Sequence, residues 1–521
     1  MNWRGAPGFL LASLPIAFGV VYGWVGQPGY TDAFYYINAA NRLVGGDGLT
    51  DPYLWTFIGA PDALPVPSHL YWMPLPSLLG AAGMRLLGAP GAYWAAQMPY
   101  LLLVLLLGYT GYWLGHRLTG TIRGAWAVGL MLLLGGFYGR FWGMIATFTP
   151  FAVLGAGCLI ALGRGAQQRR WPWFALAGAL AAAAHLTRAD GLLLLLAGFA
   201  ALGLLWLRSQ IAFRQAARFA LVLAVAYAVT MSPWLWRNWQ AVGDPLPTGG
   251  AQGIWYTEYN DIFSYPPDAT PQRFFAEGGW SLLLRSRWDG LASGLTTLIV
   301  VQGVVFLAPL MLLALARRWQ QPFLTPFWIY ALGLHLAMTL VFPFPGSRGG
   351  LFHSSAALFP FWLALGVTGI GDAVDWLAKR RPWNPRRAKA VFTWGAVLVV
   401  AALSLSISGG RTERSTPPRY IALDAALPPD ARVMVNDPAQ LYYYTGRGGV
   451  TLPNEPPEAI LTLANQYQID YLLLELGQID GQASLAAPLP LLSLPADPPS
   501  FLAPLPLDVP NMRLYAIDRA E

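Results

Sequence analysis

The chain has 521 residues, of which 55% are hydrophobic and only 11% charged, and its mean hydropathy of +0.44 suits a protein solvated largely by hydrocarbon. Average soluble domains carry about 25% charged residues, so the composition excludes an ordinary soluble globule, and the lone cysteine, Cys158, excludes an internal disulfide framework and a cysteine-based zinc site. The net charge of +7 comes from arginines set between apolar stretches rather than gathered in one basic domain, which argues against a nucleic-acid partner.

A spanning helix needs about 20 predominantly apolar residues. Uncharged stretches at 5–31, 86–115, 124–139, 141–163, 171–187, 191–207, 219–236, 290–316, 319–347, 349–371 and 390–410 predict eleven spans. Only Arg140 and a Thr149-Pro150 break separate the third from the fourth, and the stretches flanking His185–Asp190 are short. Cys158 sits among small apolar residues and reads as packing. The first stretch shows no small-residue cleavage site of the kind a signal peptide carries, so it is expected to remain as a span.

Charge orients these spans. With the N-terminus in the cytoplasm, alternate loops carry Arg4, Arg117, Arg123, Arg164, Arg169, Arg170, Arg208, Arg214, Arg218, Arg317, Arg318, Lys379, Arg380, Arg381, Arg386, Arg387 and Lys389, seventeen cations in short loops. The opposite loops hold nine arginines against eleven acidic residues over much longer connections. The positive-inside rule therefore places the C-terminus outside. The expected fold class is a multi-pass α-helical membrane protein with juxtamembrane helices and a small C-terminal α/β extracytoplasmic domain. Its boundaries are 1–410 for the membrane domain, including outer loops at 26–90 and 237–289, and 411–521 for the soluble domain.

Within the first outer loop, 33–45 (AFYYINAANRLVG) has helical spacing, and the apolar run 70–87 contains Trp72, Pro74 and Pro76. Both are expected to lie along the membrane surface with an apolar face down. In the tail, 432–436 (RVMVN) predicts a strand, 457–467 a helix and 471–475 (YLLLE) a second strand, while the Pro- and Leu-rich 484–510 predicts no element. Neither a 20–50-residue repeat nor two similar halves is visible, which weighs against a transporter built from repeats.

The chemistry-bearing residues cluster toward the outer ends. Asp32 follows the first span at interface depth, where a carboxylate can accept a proton from an attacking hydroxyl or hold a cation. Equally, Thr31 or Asp32 can cap the helix that begins near Ala33. Asp47 and Asp51 flank Gly-rich sequence and read as turn formers. Arg140, Arg188, Arg237 and Arg348 all fall outside, against the charge rule. Their planar forks suit phosphate oxygens, although snorkelling among headgroups also accounts for such arginines, and Asp190 can pair with Arg188. His69, His185 and His353 lie near outer ends, but no spacing among them indicates a metal site, and each reads as a hydrogen-bonded polar residue. The motifs GxxxxGK[ST], HExxH, GxSxG and a strand-linked GxGxxG are absent.

Three segments carry a family resemblance: Asp32 with FYYINAANRLVGGDGL and then HLYWMPLPSLLGAAGMRLLG; HLTRADGLLLL; and VNDPAQLYYYTGRGGVTLP followed by YQIDYLLLE. In their order and kind they resemble the GT-C glycosyltransferases, and within them the branch of protein O-mannosyltransferases, aminoarabinose transferases and their uncharacterised bacterial relatives. The resemblance implies inverting transfer of a hexose or pentose from a polyprenyl-phosphate donor to a glycan, lipid or protein acceptor on the outer face of the cytoplasmic membrane. It makes Asp32 the carboxylate that orients or deprotonates the acceptor. It makes Arg188, Arg140, Arg237 and Arg348, with His69, Tyr71 and His353, the substrate-binding set. No cofactor is implied beyond an optional divalent cation. Ala33 follows Asp32 where the family often has a second acidic residue, and YWMPLP lacks the lysine often found there. The competing expectations are a lipid or polysaccharide transporter or flippase, which needs a polar path to the cytoplasm, and a non-catalytic membrane scaffold.

Overall fold

The structure is a computed structural model describing residues 5–59, 61–247, 249–409, 414–476, 478–479, 482–483 and 498–519. Arg4 of the charge tally and 484–497 of the Pro- and Leu-rich segment lie outside the described residues. The chain forms two compact units.

The first unit comprises Met1–Gln27, Trp72–Gln240 and Arg285–Thr412 and is helical. Among the described residues, seven helices are long and apolar enough to cross a membrane: Ala6–Gly23, Tyr93–Thr119, Phe148–Gln168, Ala189–Leu207, Phe213–Val242, Phe359–Ala378 and Pro385–Ser408. Thr325–Val341 and Pro343–Ala357 together make an eighth candidate, bent by 114° at its break. This is a multi-pass membrane protein. Helix occurs in every one of the eleven uncharged stretches, and geometry explains the smaller number of full-length spans. Ile122–Leu134 has 13 residues and Trp171–His185 has 15, so at 1.5 Å per residue they reach about 20 and 22 Å, short of the ~30 Å hydrocarbon core. The stretch 290–316 is interrupted where Val304 (φ 45°) and Val305 (φ 62°) turn the backbone. Charge spacing marks where a helix can run in lipid, but not where it breaks.

Small residues let these helices approach closely. A Cβ at Gly115 would lie 2.4 Å from the Gly124 carbonyl oxygen, so the Tyr93–Thr119 and Ile122–Leu134 helices touch backbone to backbone there. Buried Gln97 pins the start of this hairpin, its Nε2 lying 3.0 Å from the carbonyls of Val21 and Val25 and 2.8 Å from that of Gly143. At the opposite ends of the helices, Asp372 accepts from both Arg318 guanidinium nitrogens at 2.6 and 2.9 Å, and Asp375 accepts from Lys389 at 2.7 Å. Two cations of the basic loops, Arg318 and Lys389, thus have acidic partners.

The second unit gathers Pro28–Tyr71 and Ala241–Leu284 from the two long connections with Glu413–Glu521 from the tail. Its strands are β1 (Thr50–Asp51), β2 (Tyr53–Leu54), β3 (Val66–Pro67), β4 (Val433–Val435), β5 (Gly449–Thr451), β6 (Tyr471–Glu475), β7 (Gln478–Ile479), β8 (Gln482–Ala483), β9 (Leu502–Leu505) and β10 (Met512–Ile517). Six of them form one mixed sheet in the order β2-β5-β4-β6-β10-β9. The predicted strands at 432–436 and 471–475 are β4 and β6, paired in parallel, and the predicted helix is Glu458–Tyr467. Side chains alternate across the sheet as a two-residue period requires. Met434, Leu472, Leu474, Tyr515 and Ile517 pack with Ile460, Leu463 and Tyr467 of that helix, and with Phe57 and Val66 of the first connection. Val433, Val435, Leu473, Met512 and Leu514 face Tyr420, Leu423 and Leu441 on the other side. Helices therefore cover both faces, and the first connection supplies one edge strand, β2, parallel to β5.

The first connection departs from expectation. Its helix, Thr31–Gly45, buries eight consecutive residues from Ala33 to Ala40 instead of a single face. A helix enclosed all round belongs to a core rather than to a membrane surface, and here Phe34 packs on Tyr443 (5.2 Å between ring centroids) while Asn38 donates to the Ala439 carbonyl at 2.8 Å. The second predicted surface helix, Leu75–Leu86, does keep a one-sided pattern, burying Pro76, Ser77, Gly80, Ala81 and Met84.

Candidate active site

In the second unit, Asp32 occupies the first turn of the Thr31–Gly45 helix. The position before the helix is Tyr30, extended at φ −165° and ψ 166° and making no side-chain capping bond. The N-cap position is therefore Tyr30, and Thr31 and Asp32 are the first two residues of the helix itself. Thr31 donates its hydroxyl to Asp437 Oδ2 at 2.7 Å, and Asp437 Oδ1 in turn accepts from the Gln440 N–H at 3.0 Å, capping the Pro438–Thr445 helix. A buried carboxylate from the tail thus adjoins the residue next to Asp32. Burial raises the Asp437 carboxyl above its ordinary range, opposed by its hydrogen bonds to Thr31, Gln440 and Ala439. The Asp-Pro pair in VNDPAQ is a helix-start signal that marks Asp437 in the sequence, but only the fold brings it to Thr31.

One helical turn past Asp32 stands a buried polar network. Tyr35 donates its hydroxyl to Asp51 Oδ2 at 2.7 Å and accepts from the His69 N–H at 2.7 Å. His69 Nδ1 lies 2.7 Å from Ser68 Oγ, its backbone adopts φ 61°, and its ring contacts those of Tyr35 and Tyr36 at 5.2 and 6.3 Å between centroids. Burial, reinforced by the Asp51 charge, raises the Tyr35 and Tyr53 phenols. Asp51 is therefore no exposed turn former, being 4% exposed in this network. Asp47 is exposed and lies 3.6 Å from Arg42. Tyr71 packs edge-on against Trp55, with ring centroids 4.9 Å apart.

In the membrane unit, the Pro-aromatic segment and the HLTRAD segment meet where the Leu75 N–H bonds the Leu186 carbonyl at 2.8 Å. Two residues on, Arg188 Nε contacts Asp190 Oδ1 and Ser354 Oγ, both at 3.2 Å, and the Ser354 hydroxyl also bonds Asp190. The Arg188 and Asp190 side chains are 18% and 13% exposed. His353, adjacent to Ser354, stacks on Phe148 (4.0 Å) and places Nδ1 3.0 Å from Thr147 Oγ1. Arg140 lies 5.3 Å over the ring of Phe141, which stacks on Phe148 (4.4 Å) and meets Phe352 edge-on (5.5 Å). The Arg140 guanidinium has no ion pair or hydrogen bond among the described residues. Arg188, Arg140 and His353 are thus joined through one aromatic and hydroxyl cluster. Arg348 lies earlier on the same bent arm, beside Gly349 (φ 133°). Arg237 lies 4.9 Å over Trp234 with Nη1 on Asn238 Oδ1 at 3.1 Å. His185 pairs with the Tyr227 hydroxyl at 2.5 Å. Sequence reasoning missed the hydroxyls of Thr147 and Ser354, whose only signal is their position beside named residues. Among the described residues, no group of three or more His, Cys, Asp or Glu is placed to hold a metal ion.

The fold is that of the GT-C membrane glycosyltransferases, the class the sequence resembles. The chain is similar to ArnT from Cupriavidus metallidurans bound to undecaprenyl phosphate, at 14% identity and TM-score 0.58, over 99% of this chain and 98% of that one. It is also similar to the Archaeoglobus fulgidus oligosaccharyltransferase AglB in complex with an inhibitory peptide and a dolichol-phosphate, at 11% identity and TM-score 0.55, over 91% and 70% of the two chains. A complex of the Archaeoglobus fulgidus oligosaccharyltransferase with Zn and sulfate matches at 12% identity and TM-score 0.58, over 89% and 67%. No known family profile and no curated protein sequence matches the chain.

Proposed function

We propose that this protein is an inverting glycosyltransferase that moves a hexose or pentose from a polyprenyl-phosphate carrier to a glycan, lipid or protein acceptor. The reaction takes place on the outer face of the cytoplasmic membrane, with the N-terminus inside and the C-terminal region outside. The observation that carries this reading is the end-to-end likeness to a structure bound to undecaprenyl phosphate, 99% of this chain against 98% of that one.

Asp32 accepts the proton of the acceptor hydroxyl as that oxygen attacks the anomeric carbon, and the bond to the carrier phosphate breaks on the opposite face. Arg140 and Arg188, with Arg348 and Arg237, hold the departing phosphate and stabilise charge as it develops. Arg140 is best supported in this role, since its guanidinium has no ion pair or hydrogen bond among the described residues. Asp437 is the nearest equivalent of the second acidic residue that Ala33 replaces. His69, Tyr71 and His353 shape the substrate surfaces, and any divalent cation is an optional addition to Asp32.

The test incubates purified full-length protein with a panel of undecaprenyl-phosphate-linked monosaccharides together with glycan, lipid and peptide acceptors and follows release of undecaprenyl phosphate. Asp32→Asn is expected to reduce release at least a hundredfold, within the range for loss of a general base, while leaving undecaprenyl phosphate binding intact. Unchanged release by the variant overturns the role given to Asp32. A wild-type protein that binds undecaprenyl phosphate yet releases none from any donor favours the transporter alternative.

A further inference from the structure

At the end of the bundle expected to face the cytoplasm, a cavity of about 440 Å³ is lined by Arg169, Arg170, Trp171, Arg214, Arg218 and Phe219, with Pro172 and Gln215 completing it. Its floor is built by two helices that start at this end. Phe174 stacks on Phe219 with 4.6 Å between centroids, and four residues along, a Cβ on Gly178 would lie 2.3 Å from the Leu223 carbonyl. Both contact pairs ascend together, so Trp171–His185 and Phe213–Val242 run parallel and present their N-termini side by side. Helix N-termini carry partial positive charge and ordinarily attract acidic residues. Neither helix has an acidic residue in its first turn. Instead Arg170 precedes the first and Arg214 is the second residue of the other.

None of the four guanidiniums makes an ion pair or side-chain hydrogen bond among the described residues. Elsewhere at the basic ends Arg318 binds Asp372 and Lys389 binds Asp375, so local neutralisation is used where the chain needs it. Four exposed like charges and two helix ends around one cavity create a positive potential that attracts an anion. The half-open aromatic wall narrows the choice of anion. Trp171 is 50% exposed beside the arginines while Phe219 is 4% exposed beneath them, so the site is charged at its rim and apolar at its base. That profile fits a phosphodiester attached to acyl chains better than a free inorganic anion. We propose that this cavity binds the phosphate headgroup of an anionic phospholipid from the leaflet it faces. The inference does not rest on the transferase reading.

The test titrates the full-length protein in detergent with phosphatidylglycerol, phosphatidylcholine or inorganic phosphate and counts retained lipid by native mass spectrometry. Each surface arginine near anionic lipid contributes about fivefold in affinity, so Arg214→Gln/Arg218→Gln is expected to weaken phosphatidylglycerol retention about twenty-five-fold. Arg386→Gln/Arg387→Gln, which removes equal charge from another basic segment, is expected to leave it within about twofold. Equal loss in both variants overturns the site in favour of diffuse attraction. Equal retention of phosphatidylcholine overturns the headgroup chemistry, and displacement of phosphatidylglycerol by low-millimolar inorganic phosphate assigns the cavity to the free ion instead. Trp171 gives a second readout in the unaltered protein. The fluorescence difference between wild type and Trp171→Phe is expected to be quenched by brominated phosphatidylglycerol and not by brominated phosphatidylcholine, and equal quenching overturns the proposal.

Discussion

Arg188 is the residue whose two roles can be separated most cleanly. It contacts Asp190 Oδ1 at 3.2 Å and Oδ2 at 3.4 Å, with Ser354 Oγ at 3.2 Å, so its fork is already engaged. Removing one partner of a fully buried ion pair costs about 3–5 kcal/mol because the other charge is stranded. Here the two side chains are 18% and 13% exposed, and some hydration of the remaining carboxylate reduces the expected cost of Arg188→Ala to about 2 kcal/mol. Deleting Asp190 as well removes the stranded charge, so Arg188→Ala/Asp190→Ala should recover at least half of that loss. Phosphate binding should follow a different pattern. A hydrogen bond to a charged group contributes about 1.5–3 kcal/mol, so both variants should bind undecaprenyl phosphate about ten- to a hundredfold more weakly than wild type. Asp190→Ala alone frees the fork from a competing anion and should tighten that binding. The measurements are thermal unfolding of the detergent-solubilised protein and undecaprenyl phosphate titration by native mass spectrometry. If the double variant binds undecaprenyl phosphate as well as wild type does, Arg188 serves the Asp190 pair alone and the phosphate role is refuted.

Two further outcomes follow from the second unit. Burial, with a smaller contribution from Asp437, raises the Glu475 carboxyl to about 7 against the pull of Arg419. A carboxyl raised in the folded state stabilises fully below its unfolded value near 4.5 and loses that contribution as pH rises through about 7, a change of about 3 kcal/mol. Glu475→Gln should therefore unfold with a flatter dependence between pH 5 and 8 and gain on wild type at the alkaline end; identical thermal profiles would contradict the burial argument. Gly449→Ala places a Cβ 1.9 Å from the Val433 carbonyl at φ 149°, so β5 should part from β4. Limited proteolysis should then cut the tail much faster than in wild type, and an unchanged digestion pattern would count against this strand pairing.

The sequence was informative wherever chemistry is local. Charge spacing located helix in all eleven apolar stretches, because an ionised side chain in hydrocarbon is costly at any position. Short apolar runs bounded by turns located β4 and β6, and the three resembling segments pointed to the GT-C fold. Residue order also placed Asp32 at the start of a helix and Arg188 beside Asp190. None of this reveals distance between remote segments. The Pro-aromatic segment meets HLTRAD through one backbone bond between Leu75 and Leu186, and no pattern in either stretch encodes that pairing.

Tertiary structure alone decided the rest. The 33–45 segment has the spacing of a surface helix, yet strands and helices from 400 residues away enclose it, as the bond from Thr31 to Asp437 records. Asp51 reads as a turn residue because Gly-rich neighbours surround it in sequence, but Tyr35 buries it as a hydrogen-bond acceptor. The arginines at 169, 170, 214 and 218 count in sequence only as positive-inside signals, and parallel packing of two helices gathers them around one cavity. A sequence determines by itself what each segment prefers as solvent, since that is a sum over neighbouring side chains. Which polar groups satisfy one another is settled only when long-range packing brings them within hydrogen-bond reach.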